Sequence, residues 1–274
     1  MSVLVFDIET VPDLEAGRRF HQLEGLDDAD VAKAMSHLRR QKTGGSDFQP
    51  LHLHRVVAIS CVMADANSVR VWSLGEEDSD EKELITRFYD GLDRFTPDLV
   101  SWNGSGFDLP VLHYRALAHK VQAPRYWETG DSDREFKWNN YLSRFHWRHM
   151  DLMDVMAGYQ MRANAKLDEI AMLCGFPGKL GMDGSKVFDT FMDGGIREIR
   201  DYCETDVINT YLVYLRFELM RGKLMPAEHE KREQALRDYL KNENKPHFTE
   251  YLEAWDAMDK PASNESNPNE EESA

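Results

Sequence analysis

Cysteine is scarce in this chain, with Cys61, Cys174 and Cys203 the only three in 274 residues. Their odd number and wide separation exclude a disulfide framework, and no Cys-x-x-Cys pair is present to hold zinc or run redox chemistry. All three are expected to be buried, reduced thiols. No apolar run approaches the roughly 20 residues needed to cross a bilayer. The start of the chain passes into a strand-like run without a basic flank or cleavage site, which points to the cytoplasm. Positive charge is also in deficit: 33 Lys and Arg face 49 Asp and Glu, for a net charge of −16. That balance argues against a general phosphate-backbone binder, which is normally basic. It is compatible with a nuclease, whose catalytic carboxylates are neutralised by metal and whose short single-stranded substrate needs few phosphate contacts.

Enough hydrophobic residues are present, 42%, to build a real core. Residues 2–6 form a β-rich apolar run that ends at Asp7. Residues 14–42 read as largely helical, and residues 43–54, containing Gly44-Gly45-Ser46, as a flexible loop. Strands are expected at 55–64 and 68–74, and an amphipathic helix over 79–95 stopped by Pro97. A strand at 98–102 leads through a Gly-rich turn into a helix over 107–120. Further helices are expected at 151–160, 166–173, 195–221, 226–242 and 247–258. Residues 261–274, rich in Asn, Glu, Pro and Ser, read as a disordered acidic tail.

Three short motifs supply four carboxylates and a phenol. In Phe6-Asp7-Ile8-Glu9-Thr10, strand alternation directs Asp7 and Glu9 to one face, about 7 Å apart. Like charges so placed repel unless a cation lies between them. The same Asp-x-Glu spacing recurs at Asp13 and Glu15 and at Asp133 and Glu135, but only the first pair follows an apolar β run. An exposed strand end explains that pair equally well. Asp108 falls in the first helical turn after Asn103-Gly104-Ser105-Gly106, where a carboxylate also stabilises a helix by a few tenths to about 1 kcal/mol. Asn103 adds a polar hook and Phe107 an aromatic plane. Tyr202 and Asp206, four residues apart, share a helix face, so a phenol that can orient water stands beside a carboxylate. A core Tyr beside a solvated Asp is the competing explanation. Four oxygen ligands suit hard divalent cations such as Mg²⁺ or Mn²⁺.

In this order, F-D-I-E-T, N-G-S-G-F-D-L-P and Y-C-E-T-D resemble the three exonuclease motifs of the DEDD superfamily. The Tyr-x-x-x-Asp form marks its tyrosine branch; the histidine branch has His where this chain has Asp201. The second motif is most similar to the exonuclease domain of family B DNA polymerases and to free-standing bacterial relatives. The resemblance spans residues 2–220 and implies an α/β, ribonuclease H-like (DnaQ-like) fold with a mixed central sheet flanked by helices. It also implies hydrolysis from the 3′ end of single-stranded nucleic acid, DNA favoured over RNA, with two Mg²⁺ or Mn²⁺ per active site. Asp7, Glu9 and Asp206 would hold one metal, Asp7 would be shared with the other, and Asp108 would act on that second metal. Tyr202 would position the nucleophile. Asn103 and Phe107 would contact the terminal nucleotides, and the backbone around Thr10 and Val11 would bind the 3′ end.

The expected organisation is an exonuclease domain over residues 1–222, a C-terminal helical appendage over 223–260, and the tail. A flexible insertion at 13–54 reads as a lid or as a surface for a replication or repair protein. No polymerase region accompanies the motifs. Two rivals stand beside the exonuclease reading: an RNA-trimming enzyme, and a non-catalytic nucleic-acid-binding subunit of a repair or replication complex. Retention of all four acids and Tyr202 argues against the second. Residues 125–148 interleave aromatic and basic side chains, a composition that suits either single-strand binding or a loop that buries its aromatics. His52-x-His54 and His146-x-x-His149 match no zinc pattern. Asp151 is expected at a helix N-terminus, and Asp201 and Glu204 in solvent.

Overall fold

In the computed structural model of the chain, which describes residues 2–259, the first strand is longer than its apolar run suggests. Strand β1 (Val3–Pro12) continues through Asp7 and Glu9, because Ile8 and Val11 are buried and pairing with its neighbour persists to Pro12. The chain then forms helices α1 (Leu14–His21) and α2 (Asp28–Thr43), strands β2 (His54–Ala64) and β3 (Val69–Ser73), and helix α3 (Glu81–Phe95). Strand β4 (Asp98–Ser101), helix α4 (Asp108–His119), strand β5 (His149–Asp151) and helices α5 (Leu152–Met156) and α6 (Leu167–Leu173) follow. Helices α7 (Val187–Met192), α8 (Ile196–Met220), α9 (Pro226–Glu243) and α10 (Pro246–Met258) complete the described residues; the tail expected at 261–274 lies outside them.

The five strands form one mixed sheet in the order β3-β2-β1-β4-β5. Strands β1, β4 and β5 are parallel, while β2 runs antiparallel to both β1 and β3. Alternation along β1 assigns its side chains to two layers. Leu4, Phe6 and Ile8 pack with Leu84, Phe88 and Leu112 of α3 and α4. Val3 and Val5 face the other way, onto Val207 and Tyr211 of α8, behind which α9 and α10 add Leu236, Leu240 and Phe248. Asp7 and Glu9 continue this odd-numbered series and therefore turn toward α8.

Several expectations change in detail. The helix expected over 14–42 is two helices: Gln22 ends α1 in the left-handed region at φ 56°, and the Asp27 side chain caps α2 by accepting from the Asp30 N–H. Residues 43–54 include a 3₁₀ turn at Leu51–Leu53 and buried Gln49 and His54. The helix expected to reach residue 160 stops at Met156. Strand β5, three residues long, and helix α7, six residues long, are too short to declare a period and were not foreseen. Cys61 and Cys203 are buried as expected, but Cys174 is only half-buried. Within 125–148, Tyr126, Phe136 and Tyr141 enter the core, and the guanidiniums of Arg125 and Arg148 each lie 4.5 Å from the Phe136 ring centre. Trp127, Trp138, Phe145 and Trp147 stay exposed. Among the described residues no helix is long and apolar enough to cross a membrane.

A buried ion network fixes the exit of β1. Arg115 on α4 donates from Nε and Nη2 to both oxygens of Glu81, at 2.8 and 2.5 Å, and from Nη1 to Asp13 at 2.5 Å. Glu81 also accepts the Val56 backbone N–H at 2.7 Å. One guanidinium thus ties β1's last turn, β2, α3 and α4 together. Arg115→Ala leaves buried Glu81 with only His119, 2.7 Å away, and the Val56 N–H in place of a bidentate guanidinium, so we expect a loss of about 3 kcal/mol in stability by urea unfolding. A loss below about 1 kcal/mol would show that the network is not a structural tie.

Candidate active site

The floor of the site is the second half of β1. Asp7 pairs in register with Ser60 and Glu9 with Ala58, small residues that leave both carboxylates room on the α8 side. The register shifts by a bulge between Glu9 and Thr10, a feature that bends a strand and re-aims its side chains. Cys203 of α8 packs against Asp7, with Sγ 3.5 Å from its carbonyl and 3.7 Å from Oδ2. The ligand-type atoms of Asp7, Glu9 and Cys203 lie within 4.8 Å of one another. Burial and the neighbouring Asp7 and Glu9 charges push the Cys203 thiol up, so it remains protonated and serves as a weak donor to Asp7.

The turn after β4 delivers the third acid. Asn103 sits at φ 65°, and its N–H and that of Ser105 both donate to Asp151, one to each carboxylate oxygen, at 2.9 Å. Asp151 accepts from Asp154 N–H as well, so it caps α5 as expected and also clamps the motif turn. Gly104 passes so close to Ser101 that a Cβ there would stand 2.2 Å from its Oγ, an approach only glycine allows. This turn starts α4 with Asp108, which is buried and accepts the Ile8 N–H at 3.2 Å. The carboxyl ends of parallel β1 and β4 therefore share a cleft, the usual place for a ligand in α/β sheets.

Helix α8 supplies the remaining groups. Tyr202 and Asp206, one turn apart and buried, face β1. Lys179, in the segment before α7, donates from Nζ to the Tyr202 hydroxyl at 2.7 Å and stands 3.9 Å from Asp206 Oδ2. The lysine is held by a strut from α10: Tyr251 donates to Asn209 at 2.6 Å, and Asn209 donates to the Gly178 carbonyl at 2.8 Å. Lys179 carried no sequence signal beyond its place after Gly178, because a single basic residue in a loop has no period. Glu204, expected in solvent, is buried and bonded to Ser73, Lys245 and His247, and Asp201 lies 3.1 Å from His247. Those partners fill the Glu204 oxygens and lock α10 against α8.

The other expected residues divide. Thr10 and Phe107 line a groove that reaches Glu9, and the Thr10 hydroxyl lies 2.9 Å from His54 Nδ1. Val11 turns its side chain into the core beneath Tyr202, and Asn103 stays in the turn clamped by Asp151; neither lines that groove.

Four buried or half-buried carboxylates against one ammonium leave an excess of negative charge. Burial first, then Asp108, Glu9 and Asp206, hold the Asp7 carboxyl well above the usual range; burial and Asp206 do the same for Glu9. Burial pushes Asp108 up to about 7, against the pull of its hydrogen bonds to backbone N–H groups. Burial pushes Asp206 up to about 6 despite Lys179 and Tyr202. Asp206 Oδ1 is buried without a hydrogen-bond partner. Four carboxylates that raise one another's pKa, one with an orphaned acceptor, make an oxygen-rich donor set of the kind that suits hard divalent cations.

A family model for a predicted 3′–5′ exonuclease related to the exonuclease domain of PolB matches residues 46–255. The chain belongs to this family. No curated protein matches it. The mixed sheet with helices on both faces agrees with the ribonuclease H-like exonuclease fold. The match includes Asp108, Lys179, Tyr202 and Asp206 but begins after Asp7 and Glu9; it is the sheet that brings those two to the others.

A carboxyl whose folded pKa lies above its unfolded value binds more protons in the folded state, so its contribution to stability falls as pH rises between the two values. For Asp108 and Asp206 that window runs from the ordinary 3.8 to about 7 and about 6. Cation binding needs the ionised forms and offsets this loss. We expect Mn²⁺ to raise the melting temperature strongly at pH 8 and little at pH 5. An equal Mn²⁺ shift at both pH values contradicts the site.

Proposed function

We propose that the chain is a metal-dependent 3′–5′ exonuclease that hydrolyses phosphodiester bonds at the 3′ end of single-stranded nucleic acid, DNA in preference to RNA. The observation that carries this reading is the cluster of half-buried Asp7 and Glu9 with buried Asp108 and Asp206, with Tyr202 one helical turn before Asp206 on the same face of α8. Asp7, Glu9 and Asp206 would hold one cation, and Asp7 with Asp108 a second. When bound, a cation pair of this kind supplies charge neutralisation at the phosphate and a lowered pKa for the attacking water.

The protein's own groups do the positioning. Burial and the Asp206 and Glu9 charges push the Tyr202 phenol far up, so it stays protonated and orients water without removing its proton. Lys179 uses an acceptor lone pair of that phenol, whose own O–H is directed to an acceptor, either Asp206 or a water. The Lys179 ammonium, next to Asp206, also meets charge that develops on a phosphate at the cleft. Thr10 and Phe107, which line the groove beside Glu9, would receive the terminal nucleotide.

The test uses 5′-labelled single-stranded DNA and RNA of one sequence with Mg²⁺, Mn²⁺ or chelator. The expected result is a ladder shortening from the 3′ end, faster on DNA and absent in chelator. Asp206→Ala should lose more than about 100-fold in rate, and Tyr202→Phe about 10- to 100-fold. Internal fragments, or a rate that survives Asp206→Ala, would overturn the reading.

A further inference from the structure

Helix α2 lies before the region matched by the family model, yet it forms one wall of a groove of about 870 Å³ that opens from Glu9 and Thr10. Its orientation is fixed from the other side. Val31 and Met35 are buried against Leu53, and Met35 sits so close to Gly17 of α1 that a Cβ there would stand 2.2 Å from its sulfur. With those residues inward, Lys33, His37 and Arg40 fall on the opposite, groove-lining face. Lys33 to Arg40 spans about 10 Å along the helix, more than one phosphate requires.

The groove ends inward at an acidic cluster, where an anionic chain entering without cationic contacts would be repelled. Lys33 and Arg40 are exposed, with side-chain accessibilities of 78% and 59%. Lys33 stands 3.6 Å from Asp30, and Arg40 pairs with Asp47 at 2.5 Å. Exposed pairs of this kind hold weakly enough for a phosphate to exchange onto the cation. Between this wall and the floor lies Phe48, an exposed ring whose centre is 5.8 Å from that of Phe107 and 4.9 Å from that of His54. An exposed aromatic beside a row of cations suits a base next to its phosphates.

We propose that α2 is the phosphate wall of the substrate groove: Lys33 and Arg40 hold the backbone of the single strand upstream of its 3′-terminal nucleotide, and Phe48 stacks on a base. This rests on the exonuclease reading above. It adds a substrate track supplied by the segment between β1 and β2.

The measurement is equilibrium binding of a 5′-fluorescent twelve-nucleotide homothymidine strand in chelator, for wild type and Lys33→Gln/Arg40→Gln. Glutamine keeps helix propensity at these exposed sites, and a circular dichroism spectrum verifies the fold. The double variant should bind about tenfold more weakly. The slope of log affinity against log salt should become shallower by about 1.4, the value for two lost phosphate contacts on a single strand. Phe48→Ala should weaken binding without changing that slope. Wild-type affinity and slope in the double variant would overturn the wall. Absence of metal-dependent hydrolysis by the wild type would instead overturn the exonuclease reading, whatever the binding shows.

Discussion

Mutual repulsion among four carboxylates, two buried and two half-buried, is the constraint that the rest of this structure answers. Asp7 and Glu9 project from one strand, Asp108 from the first turn of α4 and Asp206 from the middle of α8, and each charge raises the cost of the others. Left to itself such a cluster would spread or protonate. The fold prevents spreading by placing each acid on a rigid element, and one ammonium, Lys179, meets only part of the charge. What remains is excess negative charge of the kind that a divalent cation could neutralise.

Rigidity comes from ties that lie outside the cluster. Arg115 joins α4 to the end of β1 through Asp13 and to α3 through Glu81, so the elements bearing Asp7, Glu9 and Asp108 are fixed to one another. On the far side, α8 is locked to the C-terminal helix by Glu204 with Lys245 and His247, and by Tyr251 with Asn209. The second of these ties passes through Gly178 to Lys179, so α10 acts on the phenol of Tyr202 without touching it. The family match extends to residue 255 and so covers most of this helix.

The sheet and the acids were legible because they obey short-range rules. Alternation along β1 puts Asp7 and Glu9 on one face, and a four-residue spacing puts Tyr202 and Asp206 on one side of α8. Even there the apolar run understates the strand, since a charged residue normally ends a β run, whereas here two acids face a cleft while Ile8 and Val11 continue the core. What escaped the sequence is tertiary. Glu204 looks like a solvated helix residue until α10 brings Lys245 and His247 to it. Lys179 is one basic residue in a loop, and β5 is three residues whose pairing with β4 no local pattern encodes. The wall made by α2 was visible only as a helix, because which face a groove meets depends on Val31 and Met35 finding α1 and Leu53.

The central claim is that these carboxylates form a cation centre, and anomalous scattering from crystals equilibrated with Mn²⁺ above pH 7.5 tests it most directly. The account predicts Mn²⁺ peaks enclosed by Asp7, Glu9, Asp108 and Asp206, and their loss in crystals of Asp206→Ala. Mn²⁺ bound only at the other acidic group, formed by Asp201, Glu204 and His247, or no peak beside Asp7, would contradict it.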